Sequence, residues 1–150
     1  MASLPQWGVS TMILRRSACR FLRDQPTSPA VKICGLTDIE QALAIAAMGA
    51  DAIGVIGVEG TPRYIEDTSR RALFSQLQQR FPALQRVWVV ADASETVLDA
   101  ALQGQGTPTV VQLHGGESPA QCLALRKRHP RMHIWKALRL RTLDDPVSYT

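Results

Sequence analysis

From Val31 onward, short β-branched apolar runs alternate with segments whose apolar residues recur at helical spacing. Val31-Lys-Ile-Cys34 reads as a strand, ended by Gly35. Thr37 and Glu40 have the spacing of a capping box. Ile39, Leu43 and Ala46 then lay an apolar stripe on one helix face, which closes at Gly49. Residues 51–56 form a second predicted strand, apolar on both faces. Beyond a loop with Gly60 and Pro62, the spacing of Leu73, Leu77 and Phe81 predicts a second helix, stopped by Pro82. A third strand is expected over 87–91, and Ser94 can cap a third helix carrying Val97, Leu98, Ala101 and Leu102. Residues 109–113 read as a fourth strand. Ser118, Pro119 and Gln121 combine an N-cap, a proline at the first helical position and a capping box. That helix runs to about His129, where Pro130 stops it, and a fifth strand is expected over 133–138.

The pattern is therefore βα repeated, then a further strand. Strands that are continuous apolar runs are covered on both faces, as in a parallel sheet flanked by helices. Two architectures fit: a doubly wound open sheet, which five strands would complete, and a TIM (βα)₈ barrel, which needs eight units and about 250 residues. Periodicity alone does not separate them.

Composition narrows the function classes. The chain has 150 residues, 45% of them hydrophobic and 20% charged, which suits one globular domain with a core. The net charge of +4 invites an anionic partner. Much of the excess sits in Arg15, Arg16, Arg20 and Arg23 and in the run from Arg126 to Arg131. The second of these complements a helix C-terminus. No basic patch is interleaved with aromatics, so no nucleic-acid partner is expected. No apolar stretch approaches the roughly 18 residues of a membrane span, so no membrane partner is expected either. Cys19, Cys34 and Cys122 are sparse and unpaired in sequence, which points to a reducing compartment, the cytoplasm. Residues 1–30 are Arg-rich with Asp24 as their only acid. They read as a disordered N-terminal extension, or as a transit peptide that would place the protein in a plastid. The domain is expected over 31–150.

Polar groups gather just beyond the strands: Cys34 and Gly35, then Thr61-Pro62-Arg63, Asp92, His114 to Glu117, and Arg139. One such group per strand at the same end is what an α/β active face requires. Cys34 is either a small buried hydrophobe or a reactive thiol at a strand end before a helix N-terminus. Arg63 is either a surface cation or a bidentate clamp for a carboxylate or phosphate. His114 is an acid, base or donor, or a loop-bracing imidazole. Lys32 shares the side of Cys34 only if the strand alternates regularly, and receives no role. Pro130 prevents His129 and His133 from forming a helical metal pair, so no metal is expected. Gly104-Gln-Gly106 follows no strand and is no dinucleotide loop, so no cofactor is expected.

Lys32-Ile-Cys-Gly-Leu-Thr37, Gly49-Ala-Asp-Ala-Ile-Gly54, Thr61-Pro-Arg63 and Val111-Gln-Leu-His-Gly115 occur in that order. Together they resemble phosphoribosylanthranilate isomerase of tryptophan biosynthesis, over about residues 31–140. The resemblance implies an incomplete TIM barrel, with about five of eight βα units present. It implies an Amadori rearrangement of a small phosphosugar, N-(5′-phosphoribosyl)anthranilate, without metal or organic cofactor. In it Cys34 matches the general base, Arg63 the arginine near the anthranilate carboxylate, and His114 a residue near the substrate. Thr61 and Val55 stand where the family often has Ser and Phe. The family's general acid follows the sixth strand and its phosphate cup the seventh and eighth. Neither lies in this sequence, so the 150-residue chain alone is expected to be inactive and poorly folded. Two other readings remain: another phosphosugar barrel, which would want metal-binding His and Asp at strand ends, and a non-enzymatic five-stranded α/β module.

Overall fold

A computed structural model describes residues 30–139. The expected N-terminal extension (but for residue 30), its arginines, Cys19 and the last eleven residues, 140–150, lie outside the described residues. The elements run β1 (Lys32–Cys34), α1 (Ile39–Ala47), β2 (Ala52–Ile56), α2 (Asp67–Arg80), β3 (Gln85–Val90), α3 (Glu95–Ala101), β4 (Val110–Leu113), α4 (Pro119–Arg128) and β5 (His133–Lys136). Each strand pairs in parallel with the next, giving one sheet of order β1-β2-β3-β4-β5.

That order decides between the two architectures. A doubly wound sheet reverses direction at a switch point and sends helices to both faces. Here the order never reverses, so crossovers of one hand place every helix on one face, as in a barrel. Among the described residues the sheet is open, with β1 and β5 as its edges.

The two faces carry separate cores. Ile53, Val55, Trp88, Val90, Val111 and Leu113 face the helices and pack with Leu43, Leu73, Phe74, Leu77, Leu98 and Leu125. Burying each such side chain contributes about 1.5–3 kcal/mol. Alternate residues Ala52, Val87, Val89, Val110 and Trp135 form the opposite, inner cluster, against which Cys34 and Ile56 pack. The strand alternation is therefore regular, and it puts Lys32 on the inner face with Cys34.

Helix starts differ from expectation in one place. The N-cap of α1 is Asp38, whose carboxylate accepts from the Gln41 amide at 2.8 Å, not Thr37 with Glu40. Aspartate caps at least as well as threonine, and its position lets the helix begin on Ile39. The box at α4 forms as expected, Ser118 and Gln121 bonding each other's backbone. Two strands also shift. β3 starts earlier, at Gln85, because Gln85 and Arg86 pair with Ala52 and Ile53 and the Arg86 amide donates to Thr109 Oγ1 at 2.9 Å. β5 stops at Lys136, level with the end of β4 at Leu113, and Leu138 is exposed.

Arg70 and Arg71 of α2 do work that the apolar stripe did not announce. Arg70 is buried, pairs with Asp67, donates to the Gly106 carbonyl at 3.2 Å and lies over the Trp88 ring. Arg71 donates to the carbonyls of Ala100, Gln103 and Gln105 at 2.7–3.0 Å. Together they bind one carbonyl in the last turn of α3 and three in the loop that follows it. The loop Gly104-Gln-Gly106 thus offers oxygens to cations, the reverse of a phosphate cradle.

Candidate active site

The C-terminal ends of the strands bring the candidate residues to one rim, in two groups. In the first, β1 ends on Cys34 and its register sets Cys34 beside Gly54 of β2. A Cβ at position 54 would lie 2.7 Å from the Cys34 Sγ, so only glycine leaves the thiol its place. The chain then turns at Gly35, whose φ of +86° is a left-handed conformation that favours glycine. Arg63, from the loop after β2, lies across that turn. Its side chain would sit 2.9 Å from a Cβ at position 35, and its Nη1 reaches the Cys34 carbonyl oxygen at 3.5 Å. The guanidinium therefore lies against the backbone of the residue that carries the thiol, at the end of β1. Arg63 is exposed and Cys34 half-buried.

The second group stands at the ends of β3, β4 and β5. Asp92, His114, Gly115, Lys136 and Arg139 line a cleft of about 490 Å³ there. A slightly larger hollow, about 540 Å³, lies at the opposite ends of β3–β5, between Arg86, Thr107, His129 and Met132. It is far from every candidate residue, and the chemistry of parallel α/β folds belongs to the C-terminal rim.

Glu117 organises this second group, and nothing in the motif marks it out. It is buried, and its carboxylate accepts from the Asp92 amide at 2.9 Å, the Gly115 amide at 3.0 Å and Lys136 Nζ at 3.1 Å. Lys136 also donates to the Gly115 carbonyl at 2.7 Å. Asp92 adopts φ of +51°, a strained conformation for a side-chain-bearing residue, and its Oδ1 accepts from the Gly116 amide at 2.8 Å. Asp92 is thus a loop brace. Burial alone would raise the Glu117 pKa; the Asp92 amide, its own local backbone and Lys136 more than reverse this, and the net shift is downward.

His114 lines the cleft of the second group and feels the charge of Lys32 from the first strand. Burial lowers its pKa first, and the charges of Arg139, Lys136 and Lys32 lower it further, against a smaller upward pull from Glu117. It is a neutral imidazole at neutral pH, able both to donate and to accept. Lys32, given no role from the sequence, spans the inner face of the sheet from β1 to β4. Its ammonium donates to Gln112 Oε1 of β4 at 2.9 Å. Cys122, by contrast, faces α4's packed side, and burial pushes its thiol pKa up. His129 is committed to Asp99 at 2.6 Å.

No protein-family model matches the chain. It is 42% identical over 115 residues to N-(5′-phosphoribosyl)anthranilate isomerase of Synechococcus elongatus, a match covering 77% of this chain and 52% of that protein. The namesake protein of Trichormus variabilis is 40% identical over 128 residues, covering 80% and 57%. The chain thus spans about half the length of the curated relatives it matches. A crystal structure of phosphoribosyl anthranilate isomerase in complex with reduced 1-(o-carboxyphenylamino)-1-deoxyribulose 5-phosphate matches with a TM-score of 0.64 and 34% identity, over 73% of this chain and 53% of that one. The enzyme of Thermus thermophilus matches with a TM-score of 0.64 and 33% identity, over 75% and 53%.

Proposed function

From a chain that is related to the phosphoribosylanthranilate isomerases along about half their length, we propose an isomerase of tryptophan biosynthesis that rearranges N-(5′-phosphoribosyl)anthranilate to 1-(2-carboxyphenylamino)-1-deoxyribulose 5-phosphate. The observation that carries this is the meeting of Cys34 and Arg63 at the end of β1, where Gly54 leaves room for the thiol. Once the ribose ring has opened to an iminium, the Cys34 thiolate takes the proton from C2. The C2–H electron pair forms the C1–C2 double bond while the π pair of the iminium returns to nitrogen, leaving a neutral enaminol that becomes the ketose as C1 gains a proton and O2 loses one. The reading gives Arg63 the anthranilate carboxylate, which its planar guanidinium can bind with two parallel hydrogen bonds. It gives His114 a place against the substrate as a neutral hydrogen-bonding group. It locates the protein in the cytoplasm, or in a plastid if residues 1–30 direct it there.

The test is Cys34→Ala in a chain that carries all eight βα units. Loss of a general base lowers turnover by about 10²- to 10⁴-fold. The melting midpoint should hold, because a half-buried sulfur at a strand end contributes little packing. Substrate consumption at wild-type rate in the variant would remove Cys34 from the mechanism.

A further inference from the structure

We propose that Lys32 is the charge partner of the Cys34 thiolate, a positioning residue held by Gln112 and given its room by Gly54. The proposal rests on Cys34 acting as the base described above, and deepens that site.

Lys32 precedes Cys34 by two residues and shares its face of the sheet. That face is lined by Ala52, Val87, Val89 and Val110, which offer an ammonium nothing. Its one specified anchor among them is Gln112, buried on β4, whose Oε1 accepts from Nζ at 2.9 Å. To reach β4 from β1 the lysine side chain crosses over Gly54. Its Cε and Nζ lie 3.1 and 3.2 Å from the point where a Gly54 Cβ would stand, and the Cys34 Sγ lies 2.7 Å from the same point. Nitrogen and sulfur are therefore no further apart than those two distances end to end. That is within the ~4–6 Å over which an unlike charge favours the ionised form. A lysine beside a cysteine is one of the arrangements that turn a thiol into a base or nucleophile.

The choice of Gln112 is part of the device. A carboxamide oxygen orients the ammonium and leaves its charge intact. A carboxylate in the same place would form an ion pair and cancel the field at the sulfur. The other charged or titratable groups around Cys34 are Arg63, which lies on its carbonyl oxygen, and His114, which feels the Lys32 charge from β4. Arg63 is exposed and so more strongly screened than the half-buried lysine.

The experiment is the pH profile of Cys34 alkylation by iodoacetamide in the native full-length chain, read by mass spectrometry on the Cys34 peptide. Lys32→Met should displace the profile to higher pH by about one unit or more. Below that range the rate falls about tenfold. Lys32→Arg should keep the wild-type profile, and Gln112→Glu, with the lysine in place, should move it in the same direction as Lys32→Met. A Lys32→Met profile superimposed on wild type overturns the proposal, as does a Gln112→Glu profile that moves to lower pH. The outcome is separable from the isomerase reading. If Cys34→Ala abolishes turnover while the Lys32→Met profile stays put, only the role of Lys32 falls. If Cys34→Ala keeps turnover while the profile moves, Lys32 still partners the thiolate and only the assignment of Cys34 as the base falls.

Discussion

The two sides of the rim are built on opposite terms. At the ends of β3, β4 and β5, Asp92, Glu117 and Lys136 are spent on backbone amides, two carbonyls and one another. At the ends of β1 and β2, a thiol stands over a glycine, and a guanidinium makes one long contact with a carbonyl. Saturated polar groups fix a loop and leave nothing for a ligand. Lightly engaged groups cost the fold less when altered and keep their hydrogen-bonding capacity for a substrate. The rim thus separates a part that holds shape, with His114 in its cleft, from a part that can do chemistry.

The sharpest way to break the holding side is Glu117→Ala. Removing one partner of a buried ion pair costs about 3–5 kcal/mol, because the remaining polar groups stay buried without their anion. Urea unfolding should show that loss as a lower midpoint with an unchanged slope. A loss under about 1 kcal/mol, the level of an exposed pair, would mean that the clamp does not brace the rim. The counterpart on the other side is Gly54→Ala. The added carbon would sit 2.7 Å from the Cys34 Sγ, so the thiol or the strand must move. Overpacking of this kind costs about 1–3 kcal/mol. A displaced reactive atom costs about 10²-fold in turnover. Steady-state kinetics with wild-type kcat/KM in Gly54→Ala would show that the glycine is there for some other reason.

Much of this was legible in the chain, and unevenly so. The βα alternation, the α4 capping box and the positions of Cys34, Arg63 and His114 follow from local patterns, because each depends on neighbours within one or two turns. The choice between barrel order and doubly wound order did not, since it depends on which strands pair. Glu117 reads as a loop acid in QLHGGE, and its burial appears only when β5 brings Lys136 beside it. Arg70 and Arg71 look like surface charge on a helix, yet one is buried against Trp88 and the other caps α3. Lys32 has no visible role in the pattern, because its face depends on regular strand alternation and its partner Gln112 lies eighty residues away. What the sequence hides here is polar contact between elements far apart in the chain.

The smallest expected effect concerns pH, and it probes the holding side by its titration. The folded-state pKa of His114 lies below its ordinary 6.5. As pH falls through 6.5, the unfolded chain takes up a proton that the folded chain refuses, so stability declines with falling pH in that window. One proton sets a ceiling of about 1.4 kcal/mol per pH unit, and partial exposure of the imidazole keeps the effect well under it. Glu117 adds a second, more acidic decline. Its folded pKa is lowered from 4.5, so its contribution is present above 4.5 and lost as pH falls through the folded value. Melting midpoints measured across both windows should fall in two stages. His114→Asn should flatten the decline that begins near 6.5 and leave the acidic stage, which Glu117→Gln should reduce without abolishing, because Asp67 and Asp99 are also held below their ordinary value. If His114→Asn left the first stage unchanged, the proton would belong to another group, and the crowding of His114 by Arg139, Lys136 and Lys32 would have no energetic consequence.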